Sequence, residues 1–291
     1  MTTMTVSYEE APARAQPLTL GAPYHQWLSP GGSVWTEFFR VAQAYVVRFP
    51  GLADFEISRD GMRAVGHPVP GVSAATIEHL YLNLVIPLAS SRQGKLVLHA
   101  GAVELDGSCV AFLGPAGRGK STLTAFFGLS GHRFLSDDGI QIECVDATHP
   151  MVLPSHASIR LWADSEASLM AGQRKAKPVD YTDKSRFLAH DAFRHCDAPR
   201  PLRHAYFIGA ETVVEPSIEL LPAGAAMIEL VRNSFVLDIE AREQLQNQFN
   251  ALSALAALPI FFRLNYPRSY DSLPSVRAAI VRHSTPTPNS P

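Results

Sequence analysis

Cysteine is scarce in this sequence: the three residues Cys109, Cys144 and Cys196 stand far apart, with no C-x-x-C pair. That spacing argues against both a disulfide framework and a zinc site, and fits a reducing cytoplasm. Excess charge of either sign is also lacking, with 25 Lys and Arg against 27 Asp and Glu and a formal net charge of −2. No basic footprint is present, so nucleic acid is not expected as a partner. Long apolar runs are missing too. Leu82–Ala89 and Ala251–Phe262 are too short or too interrupted to span a bilayer. The residues Met1-Thr2-Thr3-Met4-Thr5 show no basic stretch leading into an apolar one, so no signal peptide is expected and the chain reads as cytoplasmic, without membrane association. There is no internal repeat.

What is present is an ordinary globular profile, 46% hydrophobic and 18% charged over 291 residues, enough for one large core or two modest ones. Residues 1–20 are polar with scattered proline and read as a flexible arm; residues 285–291 read as a disordered tail. Residues 21–93 read as a small α+β module. Its strands are Ala44–Phe49 and Phe55–Ser58, and its helix runs from an N-cap at Ser73 to about Ile86, with Ile77, Leu80, Leu84 and Val85 on the apolar face.

Residues 94–284 form the second part. Leu96–Ala100 reads as a strand, and Asp106-Gly107 joins Ala102–Leu105 to Ser108–Leu113 as a hairpin. Further strands are expected at Arg133–Ser136, Ile140–Val145, His204–Ile208 and Ser217–Leu221, with helices from about Ala223 to Leu258 and from Leu273 to Arg282. Hairpins combined with one dominant βα unit predict an α/β fold with a mixed sheet.

The densest signal is Gly114-Pro115-Ala116-Gly117-Arg118-Gly119-Lys120-Ser121, which fills every fixed position of G-x-x-x-x-G-K-[ST]. A strand precedes it and a helix follows, so backbone N–H groups and a positive helix end converge on bound phosphate. Lys120 is placed to reach the β/γ oxygens and Ser121 to hold Mg²⁺, with Thr122 next in the helix. The expected ligand is ATP. Asp137 and Asp138 follow within little more than one helix. Paired carboxylates there suit one proton-accepting role and one metal-binding role. Asp138-Gly139 equally suits a plain hairpin turn, and spacing leaves both readings open. His99 reads either as a group reaching the γ-phosphate or as a satisfied structural residue. Arg160, Lys184, Arg186 and Arg268 suit a phosphate or carboxylate clamp as well as a solvated surface. Lys175 and Lys177 fall in a polar stretch, Gly172 to Lys184, that suits a closing loop.

Taken together, His99-Ala100-Gly101-Ala102-Val103, Phe112–Ser121 and Gly131-His132-Arg133-Phe134-Leu135-Ser136-Asp137-Asp138 resemble the catalytic domain of bacterial HPr kinase/phosphorylase. The resemblance implies a phosphoenolpyruvate-carboxykinase-like P-loop fold and phosphate transfer from ATP to a serine hydroxyl. It implies Lys120 as the loop lysine, Ser121 as the metal-binding hydroxyl, Asp137 as the base that deprotonates the acceptor, His99 as the active-site histidine and Asp138 as the second carboxylate. The family's Glu-x-Arg-Gly segment is absent, since Ser155–Trp162 keeps Arg160 without the glutamate or the glycine. The segments Pro154–Trp162 and Leu264–Tyr270 resemble kinases of lasso-peptide gene clusters, which implies a peptide or small-protein substrate with an acceptor serine, at the C-terminus of a lasso-peptide precursor. A small-molecule hydroxyl kinase, and a nucleotide-binding regulatory module without transfer, are the alternatives.

Overall fold

The computed structural model describes residues 6–17, 20–29, 31–144, 148–169, 177–179, 182–188 and 193–285, with side chains left undescribed at 177–179 and 182–186. The chain divides into two compact units. The first comprises Met1–Lys95, Pro178–Thr182 and Phe235–Asn247; the second comprises Leu96–Lys177, Asp183–Ser234 and Gln248–Pro291.

The first unit is built on six strands: β1 (Ser7–Glu10), β2 (His25–Leu28), β3 (Val34–Val41), β4 (Ala44–Phe49), β5 (Ala53–Ser58) and β6 (Arg63–Pro68). Their order is β1-β6-β5-β4-β3-β2. Neighbouring strands from β2 to β6 pair antiparallel, while β1 runs parallel to β6. Ser7–Glu10 is therefore a paired strand and not part of a loose arm.

Helix α1 (Ala74–Leu80) starts where expected, with the Ser73 hydroxyl accepting the Thr76 N–H at 3.3 Å. It continues through a π-helical turn, Tyr81–Val85, into α2 (Ile86–Arg92), beyond the expected end near Ile86. The π turn shifts the helix face by an extra residue. Asn83 is buried in consequence, its amide donating to the His79 carbonyl at 2.9 Å, and Leu84 is only half-buried. Phe235–Asn247 returns to this unit: Asp238 accepts from Arg40 and, at 3.0 Å, from the Tyr45 hydroxyl.

The second unit contains β7 (Leu96–Leu98), β8 (Ala100–Leu105), β9 (Ser108–Leu113), α3 (Lys120–Leu129), β10 (Phe134–Ser136), β11 (Ile140–Cys144), β12 (Pro150–Leu153), β13 (Ser158–Trp162) and α4 (Ala163–Leu169). In chain order there follow β14 (Lys177–Val179), β15 (Thr182–Leu188), β16 (Arg200–Ile208), β17 (Ser217–Leu220), α5 (Ala223–Arg232), α6 (Arg242–Ala256), β18 (Phe261–Asn265) and α7 (Leu273–Ser284), of which Pro178 and Val179, Thr182 and the residues of α6 up to Asn247 belong to the first unit. Nine strands form one sheet that forks at β16. Its first residues pair with β12, which leads to β11 and β7. Its later residues lie parallel between β9 and β18, with β8 and β10 beyond β9 and β17 beyond β18. Parallel and antiparallel pairs coexist, so the sheet is mixed.

Strand β9 shows why both faces are covered. Cys109, Ala111 and Leu113 point into a cluster with Leu230 of α5 and Leu252 and Leu255 of α6. Val110 and Phe112 point the other way, against Leu123 and Phe127 of α3 and Val276 and Ile280 of α7. The expected closing loop is corrected in part, because Lys177–Val179 and Thr182–Leu188 are strands. Lys175, the side chains of Lys177, Lys184 and Arg186, and the tail beyond Thr285 lie outside the described residues. No helix among the described residues is long and apolar enough to cross a membrane.

Candidate active site

The glycine loop runs from the end of β9 to the start of α3. Gly114, Gly117 and Gly119 all have positive φ, at 141°, 78° and 94°. At Gly119 a Cβ would also stand 2.9 Å from the Tyr266 hydroxyl, so glycine is required there for conformation and for space. The Lys120 ammonium is buried and donates to the loop's own carbonyls, Gly114 at 2.7 Å and Pro115 at 3.1 Å. Burial pushes the Tyr266 phenol up to about 12, so it stays protonated beside the loop.

The fork in the sheet places the other expected residues. His99 interrupts the chain between β7, which pairs with β11, and β8, which pairs with β9 and β10. Asp137, Asp138 and Gly139 interrupt it between β10 and β11, at the level where the same two branches part. The expected strand Leu96–Ala100 is thus broken at His99, and β7 does not lie beside β9. The turn at Asp138-Gly139 is likewise no hairpin, because β10 and β11 pair with different strands. The His99 Nδ1–H donates to the Asp138 carbonyl at 2.8 Å and ties the two breaks together. A carbonyl can only accept, so the proton sits on Nδ1.

The two aspartates face different ways. Asp138 has φ of 72° and lines a cavity of about 380 Å³, shared with His99, Lys120 and Ser121. Asp137 is turned inward. Its Oδ2 accepts the Arg160 backbone N–H at 2.9 Å, and its Oδ1 lies 3.5 Å from where a Cβ on Gly101 would be. Arg160, on β13, directs Nε and Nη2 to Oδ2 of Asp138. Asp138 was expected to be a metal ligand, and Asp137 the base facing the acceptor. The structure thus places Asp137 facing inward, on the Arg160 backbone N–H, and Asp138 facing the cavity, paired with the Arg160 guanidinium.

Of the remaining loop positions, Ala116 through Thr122 line the cavity, whereas Gly114 and Pro115 line a second one behind the loop. Arg118, extending from the loop, stands 3.9 Å from Glu211. Opposite, the Ser165 hydroxyl lies 3.2 Å from that of Thr122 and 3.0 Å from that of Tyr270, which donates to Asp164 at 2.9 Å.

Three further residues line or support the cavity, two of them, Trp162 and Tyr266, within the segments Pro154–Trp162 and Leu264–Tyr270 noted above and one, Asn233, outside any segment noted there. Trp162 and Tyr266 wall the cavity. Asn233, at the end of α5, accepts the Gly114 N–H at 3.2 Å through its side chain and the His99 N–H at 2.7 Å through its carbonyl. An asparagine at a helix C-terminus resembles an ordinary cap, and no local signal marks its second task.

A magnesium ion keeps several waters and takes phosphate oxygens, so it needs only one or two protein ligands. The Ser121 hydroxyl, on the cavity wall, is the group of the glycine loop that such an ion would take. No group of three or more His, Cys, Asp or Glu able to hold a metal occurs among the described residues.

No protein-family model matches this chain, and no curated protein does. Among solved structures, the HPr(Ser) kinase/phosphatase from Coxiella burnetii is similar to it at 12% identity, covering 65% of this chain and 99% of that one with a TM-score of 0.34.

Proposed function

We propose that this protein is an ATP-dependent kinase that transfers the γ-phosphoryl group to a serine hydroxyl of a peptide or small protein. The observation that supports it is the meeting, in one cavity, of the glycine loop with its lysine and hydroxyl and of Asp138 with His99. The loop N–H groups and the start of α3 receive polyphosphate. Lys120 exchanges its own loop carbonyls for phosphate oxygens. Ser121, with phosphate oxygens and water, would hold Mg²⁺, which when bound neutralises charge on the transferring group. Asp138 faces the cavity, so we assign it the acceptor's proton. His99 holds the Asp138 backbone, and Asp137 positions Arg160 through the backbone N–H. The resemblance to lasso-peptide kinases makes a C-terminal serine the first acceptor to test.

The test is incubation with Mg–ATP and peptides ending in serine, read by mass spectrometry for one added phosphoryl group at that serine. Asp138→Asn is expected to keep ATP binding and lose transfer by about 10²–10⁴-fold, with a smaller loss for Asp137→Asn. ATP binding without phosphopeptide across all acceptors would instead favour a regulatory nucleotide-binding module. The pairing of Asp138 with Arg160 gives that second reading its support.

A further inference from the structure

Two arginines approach the glycine loop and share one loosely held counter-ion. Arg118 belongs to the loop itself, and Arg268 follows β18. Their guanidinium nitrogens lie 3.9 and 3.7 Å from the same oxygen, Oε2 of Glu211, beyond hydrogen-bond length. The Glu211 side chain is 55% exposed, while that of Arg268 is 19% exposed. Arg268 is anchored, with its guanidinium 5.3 Å from the Tyr266 ring centre and Nη2 donating to the Gly209 carbonyl at 2.9 Å. Its Nε is buried and, among the described residues, has no hydrogen-bond partner. All three charged groups line the cavity that holds Lys120 and Ser121.

A single carboxylate oxygen offered to two guanidinium forks is a poor match, whereas a phosphate chain presents several oxygens to planar donors. We infer that Arg118 and Arg268 clamp the polyphosphate and that Glu211 is the counter-ion this phosphate displaces. The inference rests on the nucleotide reading above and adds an exchange: binding strength is set by how readily Glu211 yields both arginines.

Calorimetric titration of the full chain with inorganic tripolyphosphate, and separately with ATP, tests it. Glu211→Gln is expected to tighten both by about two- to fivefold, the range of an exposed ion pair. Arg118→Gln is expected to weaken both by about tenfold or more, as for a lost charge-assisted hydrogen bond. Arg268→Lys keeps a cation near Tyr266 and is expected to weaken binding through loss of the fork. If that variant fails to fold, the Glu211 and Arg118 variants still decide, because those side chains are 55% and 44% exposed. Unchanged affinities in the variants, with wild-type ATP binding intact, overturn the clamp and leave the kinase reading standing. Tripolyphosphate binding that shifts as expected without any ATP binding keeps the clamp and removes the nucleotide reading. Binding of neither ligand removes both.

Discussion

Two buried arginine–aspartate pairs, one in each unit, have nearly the same exposure and opposite character. Arg48 and Asp54 are 11% and 3% exposed, and Arg160 and Asp138 are 12% and 4% exposed. Arg48 and Asp54 sit directly across from each other on β4 and β5. Their contact is a fork on both carboxylate oxygens, each at 2.8 Å, and Gln16 adds a third hydrogen bond at 2.9 Å. At Asp138 two guanidinium donors share one oxygen, the backbone is left-handed, and a cavity opens alongside. Asp106 in its hairpin is the only other described non-glycine residue with positive φ. Burial and pairing are therefore the same in both pairs, and what sets Asp138 apart is a left-handed backbone combined with access to a cavity.

Removing one carboxylate from each pair breaks the comparison most directly. Asp54→Asn leaves a buried guanidinium unbalanced and is expected to cost about 3–5 kcal/mol in urea unfolding, with transfer per folded molecule unchanged. Asp138→Asn should show the reverse emphasis, with the loss concentrated in transfer; a purely structural response there would make the two pairs equivalent. Gly101→Ala is the next largest. Its Cβ would meet the Thr124 hydroxyl at 2.2 Å, behind the buried Lys120, at an expected cost of about 1–3 kcal/mol. Adding Thr124→Ala should recover most of that, and a double variant no more stable than the single one would locate the strain elsewhere.

The smallest effect concerns a polar cluster without an ion pair. Burial first, then His283 and Arg203, lower His204 to about 4, and burial lowers His283 as well. A histidine whose folded pKa lies below its ordinary 6.5 contributes stability in full above that pH and loses it as pH falls towards 4. Melting temperature should decline over that window, and His204→Asn should flatten the decline.

Much of the frame around the loop was legible in sequence. The hairpin at Asp106-Gly107, the strand Ser108–Leu113 and the helix after Gly119 all depend on residues within a few positions of one another, as does the Ser73 cap in the other unit. The misses share a different cause. The break at His99 exists because β7 and β8 belong to different branches of the sheet, and β18 and the return of Phe235–Asn247 depend on partners far away in sequence. The π turn displaced Leu84 in favour of Asn83 because a single extra residue rotates everything after it. Arg160 and Arg268 carried the right charge but no sign of which surface they would face.

Determined by the sequence alone was a loop that only glycines at three positive φ values can form, followed by a lysine and a hydroxyl at a helix start. Those are local constraints of sterics and hydrogen bonding. Only the tertiary structure decided which of two adjacent aspartates meets the cavity. Asp137 and Asp138 are neighbours with identical chemistry, and a left-handed residue at the parting of two sheet branches turns one inward and the other towards the loop. That outcome depends on where β10 and β11 find their partners, and long-range pairing leaves no mark in a stretch of three residues.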